Sequence, residues 1–475
     1  MTEVYLLGPH GPQPLPLTGS PLGVGGQARV YALAGDPARA VKIYRTPNEE
    51  RAKRLLHMLQ AYRPEDFMVG TDRHPVLAWP SALVENSDGK TVGYVMRRVG
   101  PPEQLPLFTL FSPRQRAVNF PDASWRFLVG VARNLAGLVV QLHRQDLVVG
   151  DLSHSNLMVS TDGFVTLLDC DSIQFRHNGE FFPCVTSTME YAAPEIQLDM
   201  NAPRSTATDD FTLAVLVCRL LTAGDHPFLG HPVEPVSEDP SPGENIRLGL
   251  SYLARPSAVR VPPGTVDAQV MPPAITALAQ QAFGPGIGDP AQRPSAAKWH
   301  ETLRREWTAA QTCQLRPHHT YGAHLAACPW CARVTIGKSD PFNPPQPVPF
   351  GLQMKRRNPV AAWIGLPLIT LGIYHLVWYY KIHNEIAKID RQRTVPTIGP
   401  VLVLLFLWWT IIAPLRSYYN TGNHIRDAQR AAGLAATCSG AAGMLLMLVL
   451  GVGTLYYQAE LNKIADRYMP DTPGT

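Results

Sequence analysis

An α+β unit followed by an all-α transmembrane domain is the fold class this sequence predicts, and three observations predict it. Short β-like runs at Gln27–Leu33 and Arg39–Tyr44 open a front part whose later apolar spacing is helical. Three long apolar stretches, about 359–380, 398–415 and 434–457, fill the back part. A knot of cysteines and histidines stands between the two.

The chain has 475 residues, which is the length of two or three ordinary domains. A net charge of only +4 gives no global basic field, so nucleic acid is not an expected partner. The boundaries read 1–305 for the α+β unit, 306–335 for the Cys/His segment, 336–354 for a linker and 355–475 for the helical membrane domain. In the front unit, Glu49–Ala61 sets Leu55, Leu56 and Leu59 on one helical face. Ser81–Arg97 reads as a hairpin turning at Ser87-Asp88-Gly89, and Ala123–Arg144 as a helix. Pro-Pro-Gln-Pro-Val-Pro within 339–351 reads as a stiff linker. The first residues lack a basic start followed by an apolar run, so no secretory signal is expected. The scattered cysteines fit a reducing compartment.

The chemistry-bearing residues follow one another in a fixed order. Gly23, Gly25 and Gly26 open a turn in which no Cβ blocks the approach of a phosphate. Lys42 stands alone inside the apolar run Ala40-Val41-Lys42-Ile43-Tyr44. A buried ammonium needs an anionic partner, and an ATP phosphate would serve. Asp151 and Asn156 sit five apart just after a long helix. Asp169 ends the apolar run Val165-Thr166-Leu167-Leu168, where a Mg²⁺ ligand would sit among hard oxygen donors. Each residue alone reads equally well as a turn glycine, a cap or a surface charge; the ordered set does not.

This set resembles the protein-kinase family over roughly residues 15–305. The resemblance implies a two-lobed α+β fold and a bacterial, eukaryotic-like enzyme transferring the ATP γ-phosphate to serine or threonine of a protein. It implies that Gly23, Gly25 and Gly26 cover the phosphates, and that Lys42 holds the α- and β-phosphates. Val30, Ala40, Met96 and Arg98 would surround the adenine. Asp151 would orient the acceptor hydroxyl, and Asn156 and Asp169 would bind Mg²⁺. Thr188, in Thr-Met-Glu-Tyr-Ala-Ala-Pro-Glu, would end the activation segment and favour Ser/Thr acceptors. Asp209 resembles the aspartate that braces the catalytic loop, and Arg293 the arginine that pairs with Glu195.

Four departures stand out. Val149-Gly150 replaces the usual His-Arg, Asp169-Cys170-Asp171 the usual Asp-Phe-Gly, and Ser153 the usual lysine. The helix glutamate expected to pair with Lys42 is Glu50, or else Glu49. Gly-Asp-Leu-Ser-His-Ser-Asn with Asp-Cys-Asp resembles a divergent bacterial subgroup, which implies a phosphatase or a von Willebrand A protein as partner. Two rival readings remain: a nucleotide-binding pseudokinase, and a small-molecule phosphotransferase of the aminoglycoside or choline type. The latter lacks the Ala-Pro-Glu segment and the Asp209 and Arg293 counterparts.

Cys313, His319, Cys328 and Cys331 supply three thiols and an imidazole, a set expected to close a structural Zn²⁺ site, with His318 and His324 as alternative fourth ligands. Two or more of the apolar stretches near the other end are long enough to cross a bilayer, which takes roughly 20 residues of helix. Trp378, Tyr379 and Tyr380 would mark an interface. This predicts a multi-pass protein in the cell membrane, with the lipid membrane as partner and the kinase-like unit facing the cytoplasm. Gly365, Pro367 and Gly372 make a dipping hairpin the alternative to three simple spans. The pattern of the last 120 or so residues resembles an uncharacterised bacterial membrane domain.

Overall fold

Alternation decides the first layer of the structure. In Ala40-Val41-Lys42-Ile43-Tyr44 successive side chains point to opposite faces, as a strand requires. A computed structural model describes residues 4–8, 11–69, 74–234, 240–342, 354–370, 372–389, 395–432, 434 and 436–468. It divides into two units, Met1–Pro344 and Pro345–Thr475. The expected proline-rich linker lies largely outside the described residues.

The first unit opens with strands β1 (Val4–Gly8), β2 (Gly11–Pro14), β3 (Gly23–Val24), β4 (Ala28–Leu33) and β5 (Asp36–Tyr44). Helix α1 (Glu49–Ala61) follows, then the hairpin β6 (Ala82–Asn86) and β7 (Thr91–Arg97). These seven strands form one sheet in the order β2-β1-β6-β7-β5-β4-β3. Ala40, Tyr44, Tyr94 and Met96 face the main core together with Leu55 and Met58 of α1. Val41, Val84 and Val95 face a smaller core with Val4 and Leu33. Gly93 is required between β5 and β7, because a Cβ there would lie 2.0 Å from the Lys42 carbonyl oxygen. Asn48 caps α1, its side-chain oxygen accepting from the Arg51 amide at 3.0 Å.

A small sheet of β8 (Gln104–Pro106), β9 (Leu157–Ser160) and β10 (Val165–Leu167) comes next, with helix α2 (Trp125–His143) between β8 and β9. The longer helices that follow are α3 (Thr206–Leu221), α4 (Pro273–Phe283) and α5 (Ala296–Ala309), and α6 (Pro329–Thr335) comes after them, with shorter helical turns and two-stranded ribbons between. Leu128, Val131, Leu135, Leu138 and Leu142 of α2 are fully buried, each burial stabilising by about 1.5–3 kcal/mol. α3 is apolar on nearly every side and runs through the core, packing against α2 and α5.

The second unit is helical: α7 (Ile373–Ile389), α8 (Gly399–Phe406), α9 (Ile412–Ala431), α10 (Gly440–Met447) and α11 (Gly453–Tyr468). Here the sequence reading is corrected. Among the described residues no helix is long and apolar enough to cross a membrane. The run 359–380 is divided into a π-turn at Ala361–Gly365, a short helix at Leu366–Ile369 and α7, with Gly372 at φ 86° between the last two. The run 398–415 breaks at Ile411, φ 59°, and α9 then carries Arg416, Arg426, Asp427 and Arg430. The run 434–457 breaks at Leu450 and Gly451, φ 50° and 69°. The all-α transmembrane part of the predicted fold class and the multi-pass placement fall with these breaks, whereas the division of 359–380 at Gly372 is one that its glycines and proline predict.

Candidate active site

Lys42 lies on β5, opposite Tyr94 of β7 and Val30 of β4. Its ammonium is 2.7 Å from Asp171 Oδ1 and 3.2 Å from Asp169 Oδ1. Burial would pull the Lys42 pKa down, but the charges of Asp171 and Asp169 outweigh it and hold the group above its usual value. Neither Glu50 nor Glu49 pairs with Lys42 among the described residues, so Asp171 stands where a helix glutamate was expected. Asp171 also accepts from Tyr44 OH at 2.7 Å and Tyr94 OH at 2.9 Å.

Asp169 follows β10 in a left-handed conformation, φ 52° and ψ 39°. Aspartate tolerates this region better than most residues, and such conformations collect at functional sites. Its side chain is 53% exposed, whereas that of Asp171 is 13% exposed. Asn156 donates from Nδ2 to the Asp151 carbonyl at 3.2 Å, and its own carbonyl accepts from the Leu168 amide at 2.7 Å. These bonds tie the Asp151 loop to the Asp169 turn.

Asp151 accepts from the Thr188 hydroxyl at 2.8 Å. Burial pushes the Asp151 carboxyl up, and the Thr188 hydrogen bonds offset part of that rise. Behind it, Asp209 of α3 accepts from the Val149 and Gly150 amides, both at 2.8 Å, and lies 3.0 Å from His143 Nε2. Gly150 is constrained twice: φ is 75°, and a Cβ would fall 2.6 Å from Cys184 Sγ. Buried Arg204 packs beside it and donates to the carbonyls of Met200 and Ala202 at 2.7 Å and of Thr186 at 3.4 Å. Thus Cys184 and Arg204 fill the space beside the Asp151 loop. Glu195 and Arg293 meet in a two-bond pair of 2.8 and 2.7 Å.

The remaining expected residues line the same sheet. Gly23 and Val24 pair with Val30 and Arg29, and the Gly25 amide donates to Ala28 at 2.9 Å. A Cβ at Gly23 or Gly26 would meet nothing within 4 Å. The space over this turn is therefore open, which fits a ligand lying close to its backbone. Ala40 pairs with Met96, both buried, and the Arg98 amide donates to Ala38 at 2.8 Å where β7 ends.

The four zinc candidates converge. Their donor atoms lie within 4.8 Å of one another. Cys313 and Cys331 sulfurs are 3.7 Å apart, and His319 Nδ1 is 3.5 Å from each of the Cys328 and Cys331 sulfurs. Those spacings fit a tetrahedron with Zn–S of about 2.3 Å and Zn–N of about 2.0–2.1 Å, whose edges are roughly 3.8 and 3.5 Å. His319 Nε2 is 2.9 Å from Asp340 Oδ2, the outer carboxylate a metal-bound imidazole usually has. His324 instead faces the Gln269 carbonyl at 3.0 Å. The segment is sewn to the first unit: Thr320 Oγ1 accepts from the Arg126 amide at 2.7 Å, and buried Arg116 donates to the Pro341 carbonyl at 2.7 Å.

Sequence reasoning missed Asp171, Tyr44, Tyr94, Arg54, Arg204 and Cys184. The available signal was Asp171 itself, a second acid directly after the expected metal ligand, together with a tyrosine two residues past Lys42 on the same strand face.

The chain is 30% identical over 320 residues to the protein kinase YegI of Escherichia coli (strain K12), covering 66% of this chain and 48% of that relative. It is 27% identical over 274 residues to the serine/threonine-protein kinase PknL of Mycobacterium tuberculosis (strain ATCC 25618 / H37Rv), covering 52% of this chain and 66% of the relative. A shorter stretch of 89 residues is 35% identical to cGMP-dependent protein kinase 2 of Rattus norvegicus, covering 19% of this chain and 11% of that protein. The chain is related to bacterial protein kinases. It spans about half the length of the YegI relative, 48%. Residues 358–427 match the family described as "Domain of unknown function (DUF4234)", which lies within the second unit.

Proposed function

We propose that the first unit is a protein serine/threonine kinase that transfers the γ-phosphoryl group of ATP to a protein hydroxyl. The observation that carries this reading is Asp151. Its carboxylate is held by the Thr188 hydroxyl at 2.8 Å, in a loop whose amides are fixed by buried Asp209. In the reaction the acceptor oxygen bonds to the γ-phosphorus, the bond from that phosphorus to the β–γ bridging oxygen breaks, and ADP leaves. Asp151 orients the acceptor hydroxyl and takes up its proton. Lys42 holds the α- and β-phosphates, under the turn of Gly23, Gly25 and Gly26. Val30, Ala40, Met96 and Arg98 bound the adenine.

Asp169 and Asn156 would hold Mg²⁺, which when bound neutralises charge on the phosphates. The exposed Asp169 carboxylate beside Lys42 fits that role. Thr188 beside Asp151 favours serine or threonine acceptors. The paired Glu195 and Arg293 favour a protein acceptor over a small molecule, because they anchor the segment that follows Thr188. Cys313, His319, Cys328 and Cys331 would hold a structural Zn²⁺, all four positions being filled by protein.

The test is incubation of the full chain with γ-labelled ATP and Mg²⁺, followed by mapping of the label. Label on serine or threonine supports the reading. Bound MgATP without transfer would favour a nucleotide-binding scaffold instead.

A further inference from the structure

Asp171 takes no part in the phosphate transfer proposed above, yet it is buried beside Lys42. After left-handed Asp169 a single 3₁₀ turn, Cys170–Ser172, buries the Cys170 side chain and returns Asp171 toward the sheet. Three donors from two neighbouring strands converge on its carboxylate. Lys42 at 2.7 Å and Tyr94 at 2.9 Å share Oδ1, and Tyr44 at 2.7 Å takes Oδ2. Lys42 and Tyr94 are directly paired across β5 and β7, and Tyr44 is two residues along β5 on the same face.

Helix α1 does something else at this place. Its acids Glu49 and Glu50 sit in the first turn, where they favour the helix N-terminus. Further along, Arg51 lies 5.0 Å over the Tyr44 ring, and Arg54 donates to the Ile173 carbonyl at 2.8 Å and to the Pro183 carbonyl. The helix therefore turns cations toward the Asp171 side of the cleft. A buried lysine needs a fixed carboxylate, and of the two that Lys42 meets among the described residues Asp171 is the closer and is held by three donors.

We infer that Asp171 is the positioning residue for Lys42, the counter-ion that aims its ammonium at the nucleotide phosphates, while the more exposed Asp169, whose contact with Lys42 is the longer one at 3.2 Å, serves the cation. Lys42 is then aligned by the turn after β10 and by two tyrosines, with no carboxylate of α1 required. This rests on the kinase reading for its consequence in catalysis, and on geometry alone for the Lys42–Asp171 coupling.

The experiment is a double-mutant cycle on the full chain with Lys42→Met, Asp171→Asn and the double variant. The probe is MgATP and the readout is kcat/KM for phosphate transfer. Asp171→Asn is expected to lower kcat/KM by about tenfold or more in the wild-type background and less than about twofold in the Lys42→Met background. The Mg²⁺ concentration for half-maximal rate should not move, whereas Asp169→Asn should raise it. Equal losses in both backgrounds, or a raised Mg²⁺ requirement for Asp171→Asn, would overturn the inference.

Should Asp171→Asn fail to fold, Tyr44→Phe with Tyr94→Phe keeps the rings and removes only the two hydroxyls. It should lower kcat/KM in the same direction, and no change would count against the inference. Thermal unfolding of the nucleotide-free variants gives a second cycle that needs no activity. The double variant should melt no lower than the worse single one, and additive losses would overturn the coupling. If the wild-type chain transfers no phosphate, the kinase reading fails by itself and the melting cycle still decides the coupling.

Discussion

The two units bury polar groups to different ends. In the first, Lys42, Asp169, Asp171, Tyr44 and Tyr94 form one hydrogen-bonded cluster of two acids and a cation, and Asp151 stands on a loop braced by buried Asp209. In the second, polar side chains act as separate ties spread along the helices. Trp378 donates to Gln458 at 2.8 Å, Gln458 to Asn462 at 2.9 Å, Gln429 to Glu460 at 2.6 Å, and Tyr379 lies 2.7 Å from Thr421. The charged ties there are single pairs, one acid with one cation, such as Arg357 with Glu385 at 2.9 Å and Lys463 with Glu460 at 2.6 Å. The difference teaches where chemistry can reside. A site needs groups whose charge states are set by one another, whereas a packed helical core needs each polar atom satisfied where it stands.

The comparison can be broken most sharply at the Cys/His segment, which would give the first unit a metal as well as a cleft. One Zn²⁺ per chain is expected by elemental analysis, falling to none in Cys331→Ser. Metal binding at such sites is worth about 10–16 kcal/mol in isolated zinc peptides, so this is the largest effect predicted. Because Thr320 and Arg116 fasten the segment to the first unit, a chelator should also lower that unit's melting temperature. Metal-free wild-type protein with unchanged melting would contradict the assignment.

Next in size is the Glu195–Arg293 pair. Arg293→Met strands a carboxylate that is 29% exposed, so a loss of about 3 kcal/mol is expected, toward the low end for a broken buried pair. The pair also carries a pH signature. Burial raises the Glu195 pKa, but the Arg293 hydrogen bonds and charge outweigh it, and the carboxyl is held below its ordinary value of 4.5. The folded state therefore binds that proton less well than the unfolded state. The pair's contribution is complete above about pH 4.5 and is lost as pH falls through the lower folded value. Melting temperatures of wild type and Arg293→Met should converge as the solution is acidified; a constant gap would contradict this.

The smallest effect belongs to the second unit. Tyr457 donates to the Tyr418 carbonyl at 2.6 Å, and its ring lies against Gly443, where a Cβ would come within 2.1 Å. Tyr457→Phe keeps the ring and removes one hydrogen bond, so about 1 kcal/mol of stability should be lost. Phosphate transfer should be unaffected. A transfer defect in this variant would mean that the second unit does more than the comparison allows.

Much of the site was legible in sequence because it depends on local order along the chain. Lys42 in an apolar strand, Asp151 and Asn156 five apart, and Asp169 at a strand end each follow from patterning. Glu195, Arg293 and Asp209 followed from the family resemblance. Asp171 was not legible, because its role depends on the direction in which one 3₁₀ turn presents a side chain and on tyrosines from two different strands. Arg204 and Cys184 were hidden for a similar reason, since they reach Gly150 from far along the chain. In the second unit hydropathy was misleading. A window average registers Leu, Ile and Trp but not the left-handed breaks at Gly372, Ile411 and Leu450, which end each helix early. Trp408, Trp409 and Ile412 stand exposed beside the break at Ile411.

The central claim is that the cleft of the first unit transfers phosphate through Asp151. The most direct measurement is the initial rate of transfer from γ-labelled MgATP by the full chain, wild type against Asp151→Asn, with MgATP affinity determined in parallel. A fall of about a hundredfold or more in rate is expected, the scale of a lost general base, with affinity changed less than about twofold. An Asp151→Asn chain that transfers phosphate at the wild-type rate would contradict it.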